Sequence, residues 1–286
     1  MAHQLNHSKA RQIDSIVKGR ETSDGAGFKL TRVFSGEMAQ RLDPFLMLDA
    51  FNNDDPDDYI AGFPNHPHRG FETVSYMLTG QMRHRDSAGN EGLIKGGGVQ
   101  WMTAGSGLVH SEFPEQQDGH LSGFQLWVNL ASADKMQKPW YRDIESSEIP
   151  EFVTDDGVTA RVIAGHSHQV DGSVQRPKTE PLYLDLHFGE SSHFTQPLPS
   201  HFTALIYVYK GELAIGGKRV PERSMAVLGK DLDWDQIVLN ANQPARALLI
   251  AGRPLNEPIA QHGPFVMNTT EELHKAFRDF QAGLFE

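Results

Sequence analysis

The sequence has 286 residues and 38% apolar content, enough for one large domain or two modest ones with buried cores. Its formal net charge of −11 disfavours binding to nucleic-acid phosphates and anionic membranes, so neither is expected as a partner. Because the chain has no cysteine, disulfides and thiolate metal sites are excluded, and any metal must be bound through nitrogen and oxygen.

The sequence predicts a cytoplasmic protein, and its first half has the pattern of an all-β fold. Residues 1–17 lack the apolar core of a signal peptide, and no stretch approaches the ~18 apolar residues of a membrane span. Short segments rich in Val, Phe, Tyr, Trp and Thr then alternate with glycine and proline, which is typical of all-β proteins. Strands are predicted at 71–80, 82–94, 98–103 and 124–130.

The second half repeats this pattern, with strands predicted at 181–188, 204–217, 224–229 and 245–252. Two similar β units are the simplest interpretation, and the acidic stretch 144–157 marks the join. We therefore predict two domains, residues 1–145 and 146–286. A helix is predicted near the C-terminus, where Thr269 and Glu272 can form a capping box and Gly283 can end the helix.

Two pairs of polar residues indicate a metal site. His66 and His68 lie two residues apart, so in an extended strand both side chains project to one face. His110 and Glu112 repeat this spacing. On neighbouring strands, the four side chains would give three imidazoles and one carboxylate, a set that accepts Fe, Mn, Co, Ni, Cu or Zn. Pro67 requires that its strand be bulged or lie at a sheet edge.

Other residues allow plainer explanations. His166 and His168 share the His-x-His spacing but lie between glycines without strand character, so metal binding is not expected there. Glu72 has the parity of His66 and His68 if the strand continues unbroken, and can be a ligand, a base near the metal or a structural acceptor. Surface or packing roles are expected for the remaining histidines, which are His3, His7, His84, His120, His187, His193, His201, His262 and His274.

Segments around these residues resemble a known family. Within 62–80 and 98–110 the glycines and histidines resemble the two cupin motifs, and NHPHRGFETVSYML (65–78) and QWMTAGSGLVHSE (100–112) resemble the pirin signature. Segments 43–51, 124–141 and 263–272 also look like pirins. The resemblance implies an all-β fold of two cupin (jelly-roll-like) β-barrels with a short C-terminal helix. It also implies that the N-terminal barrel binds one metal through His66, His68, His110 and Glu112, without Glu72, and that the second barrel is structural.

The resemblance further implies a function. Pirin-like proteins are associated with quercetin 2,3-dioxygenase activity, in which Fe(II) and dioxygen open a flavonol and release carbon monoxide, and Glu112 can act as ligand and as general base. Two alternatives stay open: a non-enzymatic metal- or redox-responsive regulator that binds a protein partner, and a cupin isomerase or another oxygenase. Candidate pocket residues are Phe63, Asn65, Val74, Tyr76, Gln125 and Trp127.

Overall fold

The computed structural model describes residues 9–116 and 119–285, so the predictions for His3 and His7 lie outside the described residues. The predicted all-β class with one short C-terminal helix is confirmed. None of the helices in the described ranges has the length and hydropathy needed to cross a membrane.

The described chain forms 27 strands, four short 3-10 helices and one α-helix. The strands up to residue 149 are β1 (Lys9–Ala10), β2 (Ile13–Lys18), β3 (Arg20–Asp24), β4 (Phe28–Phe34), β5 (Phe45–Asn53), β6 (Phe63–His68), β7 (Phe71–Thr79), β8 (Gln81–Asp86), β9 (Glu91–Lys95), β10 (Val99–Thr103), β11 (Leu108–Pro114), β12 (Leu121–Asn129) and β13 (Trp140–Ile144). The 3-10 helices are Gly36–Met38, Pro56–Asp58, Ser132–Asp134 and Ser146–Glu148.

The later strands are β14 (Glu151–Val153), β15 (Thr159–Ala164), β16 (His166–Ser167), β17 (Val170–Asp171), β18 (Leu182–Phe188), β19 (Ser192–Pro197), β20 (Thr203–Lys210), β21 (Glu212–Ile215), β22 (Lys218–Pro221), β23 (Ser224–Leu228), β24 (Trp234–Ala241), β25 (Ala245–Gly252), β26 (Ala260–His262) and β27 (Phe265–Met267). Helix α1 spans Thr270–Gln281.

One compact unit, the N-terminal barrel, comprises residues 19–149 together with 255–285. Its seven-stranded sheet has the order β13-β10-β7-β12-β5-β4-β3, and its four-stranded sheet has the order β6-β11-β8-β9. Apolar side chains of both sheets pack against one another, among them Phe28, Met77, Met82 and Ile94. Alternating residues of each strand therefore face the interior of this barrel.

The second unit, the C-terminal barrel, comprises residues 9–18 and 150–254. One sheet has the order β14-β15-β18-β25-β20-β23-β2, and the other follows β1-β24-β21-β22, with β19 also pairing with β24. Its core is formed by apolar residues such as Val162, Leu184, Ile206 and Leu249. This barrel is a complete hydrophobic unit of its own.

The two units differ from the predicted linear domains 1–145 and 146–286 at the ends of the chain. The internal boundary falls at 149/150, close to the predicted position. Residues 9–18 group with the C-terminal barrel because β2 pairs with β23. Residues 255–285 group with the N-terminal barrel, where Phe265, Leu273 and Phe285 share one apolar cluster. Both assignments depend on pairing between segments that are distant in sequence.

Helix α1 begins as its sequence predicts. The Thr269 side chain accepts a hydrogen bond from the backbone N–H of Glu272 at 3.2 Å, and the Glu272 carboxylate accepts one from the backbone N–H of Thr269 at 3.1 Å. Leu273 is buried, and Phe277 packs against the same cluster. Gly283 has a φ of +72°, the left-handed conformation that ends helices.

Candidate metal centre and its cavity

Strands β6 and β11 place the predicted ligands side by side. The two strands pair antiparallel, with His110 opposite His66 and a register irregularity between His110 and Glu112. Strand β6 lies at the edge of its sheet, so the missing N–H of Pro67 breaks no ladder on the outer side. Pairing of the two strands thus brings His66 and His68 of β6 next to His110 of β11.

Three imidazoles converge at this point. One candidate ligand nitrogen from each of His66, His68 and His110 lies within 4.8 Å of the other two. The ring centroids are 4.4 Å apart for His66 and His110, and 4.9 Å apart for His68 and His110. His68 and His110 are buried, while His66 is half-buried. These distances are compatible with three nitrogens on one ion.

The hydrogen bonds of the three rings fit a metal ligand set. The Nδ1 atom of His66 lies 2.8 Å from the Pro64 carbonyl oxygen, so in the Nδ1–H tautomer Nε2 keeps its lone pair. Among the residues described, nothing hydrogen-bonds to Nδ1 of His68 or Nε2 of His110, although both atoms are buried. Buried ring nitrogens normally have a partner, and a bound cation would provide one.

Glu112 stands beside the imidazoles rather than within the 4.8 Å cluster. Its Oε2 lies 3.9 Å from Nε2 of His110. The Ser75 hydroxyl donates to Oε1 at 3.1 Å, and the Gln125 amide donates to Oε2 at 3.1 Å. The indole N–H of Trp127 donates to Oε1 of Gln125 at 3.1 Å, which fixes the orientation of that amide. The carboxylate is therefore held by donors that favour its ionised form.

Burial sets the ionisation of this site. It lowers the pKa of His110 to about 4, an effect that Glu112 partly opposes. Burial, with the neighbouring His66 and His110, lowers the pKa of His68 well below its usual value. Burial would raise the pKa of Glu112, but His110, His66 and the bonds from Gln125 and Ser75 outweigh it and the pKa is lowered. His68 and His110 are therefore neutral and Glu112 is ionised at pH 7, as metal binding requires.

Glu72 occupies a structural position. The chain leaves β6 at Arg69–Gly70, where Gly70 has a φ of +87° and any Cβ would lie 2.0 Å from the Val266 carbonyl oxygen. This turn changes the alternation of side chains before β7 begins. Glu72 therefore projects to the face of β7 that is opposite to the cavity, away from His66 and His68. Its Oε1 instead accepts a hydrogen bond from the Thr103 hydroxyl at 2.6 Å. Of its three open roles, the structure places it in that of structural acceptor.

His166 and His168 form no such cluster. The structure does place His166 in a two-residue strand, β16, which the sequence did not predict, and His168 follows that strand. His166 is exposed and its Nδ1 lies 2.8 Å from Asp171 Oδ1. The ring of His168 packs between those of Phe152 and Phe194. Within the described ranges, the cluster with metal-ligand spacing is that of His66, His68 and His110.

Several of the remaining histidines pair with aspartates. The buried His84 contacts Asp143 at 2.8 Å through Nε2. His120 contacts Asp54, His187 contacts Asp185 and His193 contacts Asp156, at 2.7, 3.0 and 3.1 Å. His201 and His262 pack edge-on against phenylalanine rings, and His274 lies exposed on α1. The expected packing and surface roles agree with these positions.

A cavity of about 740 Å³ opens beside the site within the N-terminal barrel. His66, His68 and Glu112 line it, as do three of the predicted pocket residues, Phe63, Gln125 and Trp127. Further walls are apolar and include Leu30, Met47, Phe51, Met77 and Met82. The volume falls in the roughly 300–1,000 Å³ range of small-molecule sites.

The other three predicted pocket residues do not line the cavity. Val74 and Tyr76 are buried on the opposite face of β7, whose cavity face carries Ser75 and Met77. Asn65 is exposed, because it alternates with His66 along β6. For Val74 and Tyr76 the error arises at the Gly70 turn, which shifts the side-chain parity that the sequence pattern alone continues through.

Sequence reasoning also missed a polar group in the cavity wall. Arg32 donates from Nε to Asp49 Oδ1 at 2.9 Å and from Nη2 to Asp49 Oδ2 at 2.8 Å. Burial raises the pKa of Asp49, with the bonds from Arg32 acting in the opposite direction. The available signal was a lone aspartate within the apolar strand FLMLDAF.

Comparisons with known proteins agree with this geometry. The family model "Pirin" matches residues 27–128, and the model "Pirin C-terminal cupin domain" matches residues 183–286. A Pseudomonas aeruginosa protein provisionally named a quercetin 2,3-dioxygenase is 48% identical, over 97% of this chain and 99% of its own length.

Two further relatives point the same way. A pirin-like protein of Caulobacter vibrioides is also 48% identical, over 96% of this chain and 99% of its own length. The crystal structure of quercetin 2,3-dioxygenase from Acinetobacter baumannii superimposes with a TM-score of 0.91 and 34% identity, covering 97% of this chain and 99% of that one. The chain therefore belongs to the pirin family and consists of two cupin barrels.

Proposed function

We propose that the protein is a metal-dependent dioxygenase of the pirin type, which opens a flavonol such as quercetin with dioxygen and releases carbon monoxide. One observation carries the proposal: three converging imidazoles and a buried carboxylate meet a cavity large enough for a small aromatic molecule. The names of the similar Pseudomonas and Acinetobacter proteins support it.

In this proposal His66, His68, His110 and Glu112 hold one divalent ion. Fe(II) is preferred on the family relationship, and three nitrogens with one carboxylate oxygen also suit Zn, Mn, Co, Ni or Cu. An ion in such a site acts as a Lewis acid that lowers the pKa of a substrate hydroxyl and brings substrate and dioxygen together. The unpartnered nitrogens of His68 and His110 fit this role.

Glu112 is the proposed catalytic base. Its carboxylate lies on the cavity wall, and its low pKa leaves it unprotonated at neutral pH. Ser75 and Gln125 hold it in place. A carboxylate of low pKa takes a proton efficiently only from an acidified hydroxyl, such as the 3-hydroxyl of a flavonol at the metal. In this proposal the Glu112 carboxylate both binds the metal and accepts the proton of the substrate hydroxyl.

The cavity favours an enzyme over a regulator. A metal-responsive regulator needs only a surface that changes with metal state, whereas an enzyme needs a pocket that reaches the ligands. Here His66, His68 and Glu112 themselves line a cavity whose other walls are largely apolar. The same feature would also serve an oxygenase or isomerase acting on another small aromatic molecule, so the substrate has to be tested directly.

The test is anaerobic loading with Fe(II), followed by addition of quercetin and oxygen and detection of carbon monoxide. The His110→Ala variant should bind no iron and release no carbon monoxide, because it removes a ring from the cluster. The matched control is His166→Ala, which removes an exposed histidine from the C-terminal barrel and should behave as wild type.

Turnover by wild type and His166→Ala, together with an inactive His110→Ala, would support the activity and the ligand set. If iron binds with the expected dependence on His110 but no flavonol is turned over, the dioxygenase proposal fails. The non-enzymatic regulator that acts through a protein partner would then be the better account.

A further inference from the structure

A row of polar side chains crosses the face that the seven-stranded sheet presents to the cavity. Arg32 on β4 is opposite Asp49 on β5, Asp49 is opposite Gln125 on β12, and Gln125 is opposite Ser75 on β7. All four side chains line the cavity. The row leads from Ser75 and Gln125, which hold Glu112, to an ion pair two strands further along the sheet.

The ion pair at the end of this row has unused hydrogen-bonding capacity. Arg32 donates hydrogen bonds from Nε and Nη2 to Asp49. The second N–H of Nη2 donates to Asp24 Oδ2 at 2.7 Å. Its Nη1 atom carries two further N–H groups that bond to no residue described in the structure. Each Asp49 oxygen accepts one bond from Arg32, which leaves a second lone pair on each. Nη1 points away from Asp49, so the group that the pair offers to the cavity is the Asp49 carboxylate, which Arg32 holds in place.

The charges around Arg32 decide which chemical group fits. One guanidinium faces two carboxylates, Asp49 and Asp24, so the local sum is one negative charge. An anionic substituent such as a carboxylate would be repelled there. A neutral hydroxyl can instead donate to a free lone pair of Asp49, and it would gain a charge-assisted hydrogen bond there.

The position of the pair sets the length of the ligand. Neighbouring strands are about 4.8 Å apart, so Asp49 lies roughly 5 Å along the sheet from Gln125 and roughly 10 Å from Ser75, the two residues that hold Glu112. A group that bonds to the pair while its reacting end sits at Glu112 must belong to a molecule of several linked rings. The apolar residues between, such as Met47 and Trp127, would contact its aromatic body.

We propose that Arg32 and Asp49 form a specificity subsite that binds a phenolic hydroxyl at the end of a multi-ring substrate remote from the imidazole cluster. This inference rests on the proposed function for the identity of the reacting end. It assigns the substrate class more narrowly, to polyphenols with a free hydroxyl on the distal ring. Arg32 and Asp49 position the substrate and take no part in bond breaking.

The experiment compares two probes on iron-loaded protein without oxygen. Quercetin carries distal-ring hydroxyls, and 3-hydroxyflavone keeps the reacting hydroxyl and carbonyl but lacks them. Dissociation constants are measured by absorbance titration for wild type, Asp49→Asn and Arg32→Lys. The control Glu148→Gln alters an exposed ion pair with Arg142 outside the cavity. Iron content and circular dichroism of each variant confirm that the protein is folded and loaded.

Wild type and Glu148→Gln should prefer quercetin by at least about tenfold, the effect of one hydrogen bond to a charged group. Asp49→Asn and Arg32→Lys should weaken quercetin binding by a similar factor and change 3-hydroxyflavone binding by less than about threefold. Equal binding of both probes by wild type, no binding of either, or a preference that survives in both variants would overturn the subsite.

Binding without oxygen separates this proposal from the dioxygenase proposal. If quercetin is preferred and the preference disappears in the two variants, the subsite stands even when no carbon monoxide is released. If carbon monoxide is released but the preference is unaffected by the variants, the activity stands and the subsite is rejected.

Discussion

His68 and His110 are held neutral by burial, which makes the metal-free protein sensitive to acid. His110 has a pKa of about 4 in the folded state and an ordinary value near 6.5 when unfolded. Between these values the unfolded chain binds more protons, so stability is full above about pH 6.5 and is lost as pH falls toward 4.

For chelator-treated protein we expect a loss on the order of 2 kcal/mol at pH 5 relative to pH 8 from His110 alone. The measurement is urea unfolding at both pH values, with His110→Gln and the exposed-site control His166→Gln. His110→Gln should show the smaller pH effect. An equal effect in all three proteins would contradict the neutral, buried state of this ring.

Gln125 is expected to tune the carboxylate that it contacts. Gln125→Leu removes one donor to Glu112 and leaves the Ser75 bond in place. Loss of a hydrogen bond to the ionised carboxylate should raise the pKa of Glu112. The acidic limb of the kcat/KM profile for quercetin should therefore move to higher pH, with iron content unchanged. A uniform fall in activity at every pH would argue against this role.

At the scale of single residues, the sequence predicts the clustered histidines better than the walls of the cavity. The pairs His66 with His68 and His110 with Glu112 follow from two-residue spacing within one strand. Val74 and Tyr76 were misplaced because the turn at Gly70 changes parity, and the polar Arg32–Asp49 contact joins residues that no local pattern links. Contacts across strands require the register, which the sequence does not state.

At the scale of elements, a buried lysine fixes the turn that follows β6. Lys135 donates to the Gly70 carbonyl at 2.8 Å, to Asn129 Oδ1 at 2.7 Å and to the Val266 carbonyl at 3.0 Å. These bonds connect the turn after His68, the end of β12 and the middle of β27. The three acceptors have no access to bulk water to replace the lysine.

Lys135→Met keeps the length of the side chain but leaves these acceptors without their donor. We expect the free energy of unfolding to fall by about 2 to 4 kcal/mol, the range for unsatisfied buried polar groups. Lys138→Met changes an exposed lysine three residues away and should alter stability by less than about 0.5 kcal/mol. Denaturant unfolding measures both. Equal stability of the two variants would show that Lys135 is not a structural tie.

At the scale of the whole molecule, two similar β units were foreseeable from the repeated strand pattern, and the capping box of α1 from Thr269 and Glu272. The sequence did not indicate which barrel each end of the chain joins. Strand β2 pairs with β23, and the Phe265 and Leu273 side chains share a cluster in the N-terminal barrel. Each element has an ordinary local pattern, and its partner is determined only by the folded chain.

The measurement that tests the account most directly is the Fe(II) content and affinity of two matched variants, Glu112→Gln and Glu72→Gln, beside wild type. Both glutamates are buried, and only Glu112 is assigned to the metal. Wild type and Glu72→Gln should bind one iron per chain, whereas Glu112→Gln should bind it at least about tenfold more weakly. Loss of iron from Glu72→Gln with full retention in Glu112→Gln would contradict the assigned site.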